Sequence, residues 1–528
     1  MLLQTVVYRT PSRKAKGAVA MVGLTVRCLC RPYGIVPTCD EQIEAAAPIV
    51  PQSDISVFLL ILLPRYEIGE DGPNAYKITD LQRRPAEEPW SRHAYRNFMM
   101  KLPEPDIESV ERAILALTEH PEHELTISAT RKGVTSFCAE SALLQFVVTW
   151  ARSADRSGTV VFSQLDSTTA SFEAELRKQL GLPYFLAAWV LAGRLYDAHR
   201  NLLKRREAKG YSDFLDAMEN FDFQHTHGTL ETRANLICVQ GGKREFIRPF
   251  YEFHESKWKV KREGDVRVII QDILMQLAPA WAARYVREVT EALSHLVREL
   301  VENSDWWARV DQHGVEYAKG IRAVTFKLID IDQDNLSMFA GGNTHIQSYL
   351  IHNLTTHERA REEPPSSHSG TLRKLSFVEL SMVDSGPGLA RRWLANRQDN
   401  KRSVGKIDEI SVQEEEDAVI ECFKKWRTSS GNSLRGIGLF SVASLLRKRN
   451  GFLRLRTGRL GFLFGTQSAI NDIDIQLKRI SPSAEYVKLQ DGTHVFLEDG
   501  DMVFFLRPWS QNEAGPVEGT AYSILLPV

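Results

Sequence analysis

The segment Phe377-Val-Glu-Leu-Ser-Met-Val-Asp-Ser-Gly-Pro-Gly388 constrains the fold of this chain more than any other stretch. Phe377 to Val383 has the composition of a strand. Asp384 stands where that strand must end. Gly386 and Gly388 then let the backbone turn tightly and come close to a ligand. A carboxylate at such a strand end can accept a hydrogen bond from an exocyclic amine such as adenine N6. The same residues also read as an ordinary Asp/Gly turn.

Helical periodicity surrounds this strand. Asp265 to Leu277 and Trp281 to Val310 both have helical spacing, and the second carries Val286, Val289, Leu293, Leu296, Val297, Leu300 and Val301 on one broad face. On that helix Glu299 and Asn303 stand at i and i+4, so they project from one face a turn apart. A carboxylate there can orient or deprotonate water, and an amide oxygen one turn on can hold a divalent cation. A solvated helix face is the bland alternative. Leu434-Arg-Gly-Ile-Gly-Leu-Phe-Ser-Val442 places Gly436, Gly438 and Leu439 at the start of a further helix. Free N–H groups and the helix dipole make such a start a natural phosphate seat. No Lys-Ser/Thr follows at Walker A spacing, and the third glycine of a dinucleotide fingerprint is missing. Gly451 to Thr466 reads as a hairpin, and Gly519-Thr520 opens an alternating strand that runs to Pro527.

The N-terminal half reads as a small α/β unit followed by helices. Ile55 to Leu62 and Leu125 to Ala129 have strand character. Asp106 to Glu119 is helical, with Ile107, Val110, Ile114 and Leu117 on one stripe. Phe137 to Arg152 reads as a helix, Gly158 to Phe162 as a strand, and Ser171 to Phe221 as mainly helical. Arg200, Lys204, Arg205, Arg206 and Lys209 cluster as a solvated basic face. Of the histidines His225, His227 and His254, the pair His225-x-His227 is only a weak metal signal.

Composition narrows the function classes. Charged residues are 25% and apolar residues 43%, which excludes a disordered or collagen-like chain. The 66 basic and 67 acidic residues nearly cancel, so neither nucleic acid nor an anionic membrane is indicated as partner. No run approaches the roughly 20 apolar residues of a membrane span. The six cysteines, at 28, 30, 39, 138, 238 and 422, form no CxxC pair and suit reduced thiols in the cytoplasm.

The order of the motifs adds to each of them. A helix with Glu-x3-Asn precedes a strand with Asp-x-Gly-x-Gly, then a polar stretch, Gly-x-Gly-Leu on a helix, a hairpin, and a closing Gly-Thr strand. This order resembles the GHKL superfamily of gyrase, heat-shock-90, histidine-kinase and MutL ATPases, over roughly residues 270 to 528. The resemblance implies a Bergerat-fold α/β sandwich, a mixed sheet under helices, that binds ATP with Mg2+. It makes Glu299 the general base for water and Asn303 the magnesium ligand. Asp384 becomes the reader of adenine, with Gly386 and Gly388 shaping its pocket. Gly436, Gly438 and Leu439 become the phosphate-contacting box, and Thr520 a neighbour of adenine. In many relatives an acidic residue follows three or four positions after the asparagine. Here Trp306 and Trp307 stand there, and Asp305 is the acidic residue.

The expected organisation is an N-terminal α/β domain over residues 1–165, a mainly helical connector over 166–264 and the ATP-binding domain over 265–528. Within the last, a lid spans about 389–435 and an extra strand-rich insert about 467–515. The transducer domain of gyrase-type relatives has no counterpart before Val528, so output is expected from the N-terminal region, by self-association or through a protein partner. Slow ATP hydrolysis coupled to such a switch is the expected activity. The alternatives are a serine/threonine or histidine protein kinase and a non-hydrolysing nucleotide sensor, and the resemblance associates such chains with bacterial stress or defence systems. His295 lies four residues before Glu299 on the same helix and so does not supply a separate phosphoacceptor helix.

Overall fold

The computed structural model describes residues 99–119, 124–128, 135–153, 158–222, 232–277, 279–356, 374–397, 401–424, 438–465, 467–480, 484–510 and 514–528. The expected strand at 55–62, His225, His227, Gly436 and the far end of the expected lid lie outside these residues.

The chain begins as alternating strands and helices: β1 (Met99–Lys101), α1 (Ile107–Glu119), β2 (Glu124–Ile127), α2 (Ala139–Ser153), β3 (Thr159–Phe162), α3 (Phe172–Leu180), α4 (Pro183–Leu191) and β4 (Arg194–Tyr196). The four strands pair in parallel, in sequence order. Parallel neighbours need a crossover, and the helices supply it. In α1 the stripe Ile107, Val110, Ile114 and Leu117 is buried, as its spacing predicts.

Next come α5 (Lys209–Glu219), β5 (Thr232–Gln240), a separate hairpin of β6 (Tyr251–His254) and β7 (Lys257–Val260), α6 (Glu263–Leu277) and the long α7 (Pro279–Trp307). The remainder contains β8 (Gly320–Ile331), α8 (Leu336–Ala340), α9 (Thr344–Thr356), β9 (Leu375–Asp384), α10 (Leu389–Asn396) and α11 (Val412–Glu421). It ends with α12 (Gly438–Lys448), β10 (Phe452–Gly458), β11 (Leu460–Phe464), α13 (Gln467–Ile480), β12 (Tyr486–Lys488), β13 (His494–Glu498), β14 (Asp501–Pro508) and β15 (Val517–Pro527).

Nine of these strands form one sheet in the order β12-β13-β14-β11-β10-β15-β9-β8-β5. Every pair in it is antiparallel. The molecule is therefore mixed α/β, but parallel pairs are confined to the four-stranded sheet, while the nine-stranded sheet and the β6–β7 hairpin are antiparallel. All the described residues belong to a single compact unit.

Two segments differ from their expected character. Residues 232–240, inside the expected helical connector, form β5 and pair along their length with β8. The expected strand-rich insert opens with α13, because Ala469, Ile473 and Leu477 recur every four residues and are buried. Its strands β12 to β14 then extend the sheet through β14 and β11.

The two faces of the large sheet are covered differently. On one face α7 packs Leu293, Leu296, Val297, Leu300 and Val301, all nearly inaccessible. On the other lies α2, in which every residue from Ala139 to Ala151 is buried. A helix buried all round must sit between layers. It packs against α1 and α4 and also against β15 and β9. Its polar side chains reach the sheet: Ser141 Oγ lies 2.5 Å from Ser523 Oγ, and the Gln145 amide donates to the Arg456 carbonyl at 3.0 Å. Glu140 pairs with Arg233 and Lys327, at 2.5 Å each. From α1, Glu111 takes Arg454 at 2.7 Å and Arg456 at 3.0 Å.

In the expected basic cluster Arg200, Lys204, Arg206 and Lys209 are exposed and Arg205 is half-buried. Arg200 forks onto Glu124 at 2.5 and 2.7 Å, and Arg205 donates to the carbonyls of Trp189 and Ala192.

Candidate functional site

The helix α7 and the N-terminus of α12 bring two sequence motifs into contact. A Cβ placed on Gly438 would lie 2.7 Å from Glu299 Oε2 and 3.4 Å from Asn303 Nδ2. A side chain at 438 would therefore displace the Glu299 carboxylate and touch the Asn303 amide. Glu299 and Asn303 share a face of α7, as their i, i+4 spacing requires. Arg298 pairs with Glu299 through Oε1 and with Glu302 at 2.5 Å. One carboxylate oxygen is thus held by a guanidinium and the other faces Gly438. Nδ2 of Asn303 is buried without a hydrogen-bond partner. Leu439 is buried beneath the first turn of α12.

A second cluster forms where β9 ends. The Asp384 carboxylate accepts from the Gly386 N–H at 2.9 Å and from the backbone N–H of Thr520. Burial pushes its pKa up to about 6, against the pull of these two N–H groups and of Arg322. Gly386 presses on the end of α7, since a Cβ there would meet Ala308 Cα at 2.6 Å. Gly388 has φ +85° and a Cβ would come 3.0 Å from Thr457 Oγ1. Gly519, at φ +72°, leaves room for the Asp384 carbonyl at a distance where a Cβ would collide. Its N–H donates to the Gly386 carbonyl at 2.8 Å. Strand β15 therefore locks the Asp384 loop.

Both clusters lean on α7. Asn303 and Ala308 are five residues apart, about 7.5 Å along a helix axis. Between them Asp305 receives a hydrogen bond from Tyr251 at 3.1 Å and lies 3.6 Å from Arg322, which pairs across the ladder with Asp384. So Asp305, and not Trp306 or Trp307, faces the Asp384 side. Trp306 is exposed, and Arg392 stacks over Trp307 at 5.4 Å.

Sequence reasoning missed the brace behind the Asp384 loop. Arg152, near the end of α2, donates to the Ser385 carbonyl at 2.8 and 3.1 Å and lies over the Tyr317 ring at 3.7 Å. Thr149 Oγ1 accepts from the Glu518 N–H at 3.1 Å, one residue before Gly519. The N-terminal layer thus holds both strand ends of this cluster. These partners lie 233 and 369 residues away, and no local pattern announces them.

The described part of the expected lid is docked by its charges. In α11, Glu414 pairs with Arg402 at 2.8 Å, fully buried Glu415 with Arg459 at 2.8 Å, and Glu416 with Lys488 at 2.9 Å and His494 at 2.5 Å. Among the described residues no group of three or more His, Cys, Asp or Glu converges as a metal cluster. His254 lies beside Glu255 and Lys259. No family model, curated protein or solved structure matches the chain.

Proposed function

We propose that this protein binds ATP with magnesium and hydrolyses it slowly, in the manner of the GHKL ATPases its motif order resembles. In this reading the nine-stranded sheet with α6, α7 and α12 is the Bergerat sandwich. The observation that carries the reading is the meeting of Gly438 with Glu299 and Asn303, residues of two motifs distant in sequence. The base would sit against Asp384, with Gly386, Gly388 and Thr520 shaping the pocket, and the phosphates at the start of α12.

The residues fit the part each would play. Glu299 presents Oε2 towards Gly438, where a water attacking the terminal phosphate can lose its proton. The unpartnered Nδ2 of Asn303 can donate to a phosphate oxygen, and its amide oxygen is the atom that would take the cation. Magnesium typically binds through one or two protein groups together with substrate phosphates. Bound there, it would neutralise phosphate charge in the transition state. Gly438 and Leu439 open α12, whose first-turn N–H groups suit a phosphate. The braces from Thr149 and Arg152 offer the N-terminal layer, or a protein partner bound to it, a direct route to the nucleotide state.

The test is ATP binding and phosphate release with magnesium, parent beside Glu299→Ala. Binding in both, with release in the parent alone, is the expected result. No binding by the parent would sink the reading.

A further inference from the structure

Three helices bring together a carboxylate, an imidazole and a hydroxyl beside this site. Glu263, at the start of α6, lies 3.0 Å from His295 Nδ1. His295 Nε2 lies 2.9 Å from Ser441 Oγ, which is in the first turns of α12 and 2.8 Å from the Gly438 carbonyl. A carboxylate only accepts, so it fixes the proton of a neutral His295 on Nδ1. Nε2 then carries the lone pair, and the Ser441 hydroxyl donates to it. When Nε2 is protonated it donates to Ser441, whose own proton turns to the Gly438 carbonyl. A nucleophile within reach of a base, with the base oriented by a third group, is the arrangement that activates a hydroxyl.

Its place gives the electrophile. Glu299 and His295 are one turn apart on α7, and each faces the start of α12, Glu299 at Gly438 and His295 at Ser441. We propose that Ser441 is a phosphoacceptor for the terminal phosphoryl group of a nucleoside triphosphate bound at this site. This rests on the nucleotide reading above. Ser441 Oγ attacks the γ-phosphorus, the new O–P bond forms, and the bond to the β,γ-bridging oxygen breaks. The hydroxyl proton passes to His295 Nε2, and the nucleoside diphosphate leaves. Glu263 holds the imidazole and stabilises its charged form. The neighbouring water route through Glu299 competes for the same phosphoryl group.

The experiment incubates the full chain with ATP and magnesium and reads phosphate on Ser441 by peptide mass spectrometry, beside an equilibrium titration of ATP binding. Phosphate on Ser441 is expected. It should vanish in Ser441→Ala, and move to the threonine hydroxyl at the same position in Ser441→Thr. His295→Gln should slow it on the order of a hundredfold. Glu263→Gln changes an exposed side chain and should slow it less, with ATP affinity unchanged. Bound ATP with no phosphate on Ser441 overturns the proposal and leaves the nucleotide site standing. Failure to bind ATP overturns both.

Discussion

The two faces of the nine-stranded sheet bury opposite kinds of residue. Beneath α7 the packed residues Leu293, Leu296, Val297, Leu300 and Val301 are aliphatic, and the polar clusters around Gly438 and Asp384 both lie against the C-terminal half of α7. Beneath α2 the sheet presents Arg233, Lys327, Glu379, Arg454 and Arg456, each at most 8% exposed. Apolar packing tolerates exchange among side chains of similar volume. Buried ion pairs do not, because each charge needs its partner at hydrogen-bond distance. The first face buries most of its surface for cohesion. The second fixes where the N-terminal layer sits, and so where Thr149 and Arg152 grip the strand ends.

The largest effect should come from breaking the charged face. Glu140→Ala takes the shared carboxylate from buried Arg233 and Lys327 and should cost about 3–5 kcal/mol of stability, read by denaturant unfolding. Leu296→Ala on the other face should cost about 2–5 kcal/mol by the cavity it leaves. If Glu140→Ala cost under about 1 kcal/mol, the contrast between the faces would fail. At the rim the balance changes from stability to chemistry. Glu299→Ala should lower turnover on the order of 10²- to 10⁴-fold with ATP affinity retained, measured by phosphate release.

Asp384→Ala should weaken ATP binding by about 1–3 kcal/mol, since the adenine amine loses its buried acceptor. Its pH dependence sharpens the assignment. With a folded pKa of about 6, raised by burial, the carboxylate is ionised above pH 6 and protonated below it. Affinity that needs the ionised acceptor should be level above pH 6 and fall by up to about tenfold per unit below. The same shift favours folding at low pH, and that contribution is lost as pH rises through about 6. Calorimetric titration from pH 5 to 8 reads both signs. Smallest is Arg152→Ala, which should weaken ATP binding by roughly tenfold or less, because the guanidinium holds the Ser385 carbonyl behind the pocket and not the nucleotide itself. Unchanged affinity would mean that the α2 brace does not set the Asp384 loop.

Much of the first face was legible because it follows simple periods. The stripe of α7, strand β9 with Asp384 at its end, and the hairpin of β10 and β11 all follow their residue patterns. The charged face was not. In β5, Arg233 and Asn235 alternate with Ala234 and Leu236, which resembles a strand with one wet side. Both polar residues are in fact buried, at 8% and 1% exposure, against partners far along the chain. The order of motifs named the residues that meet around α7. It carried no sign of Arg152, Thr149 or Ser441, whose partners are set by tertiary packing alone.

The all-round burial of α2 has a practical consequence for anyone dissecting the protein. A fragment cut at residue 265 would lack β5, α2 and the Glu111 and Glu140 carboxylates, so Arg454 and Arg456 would lose their Glu111 partner and Lys327 its Glu140 partner. Loss of activity in such a deletion would report a collapsed interior, not the removal of a regulator. The N-terminal layer is better interrogated in place, by single exchanges along α2, than by scissors.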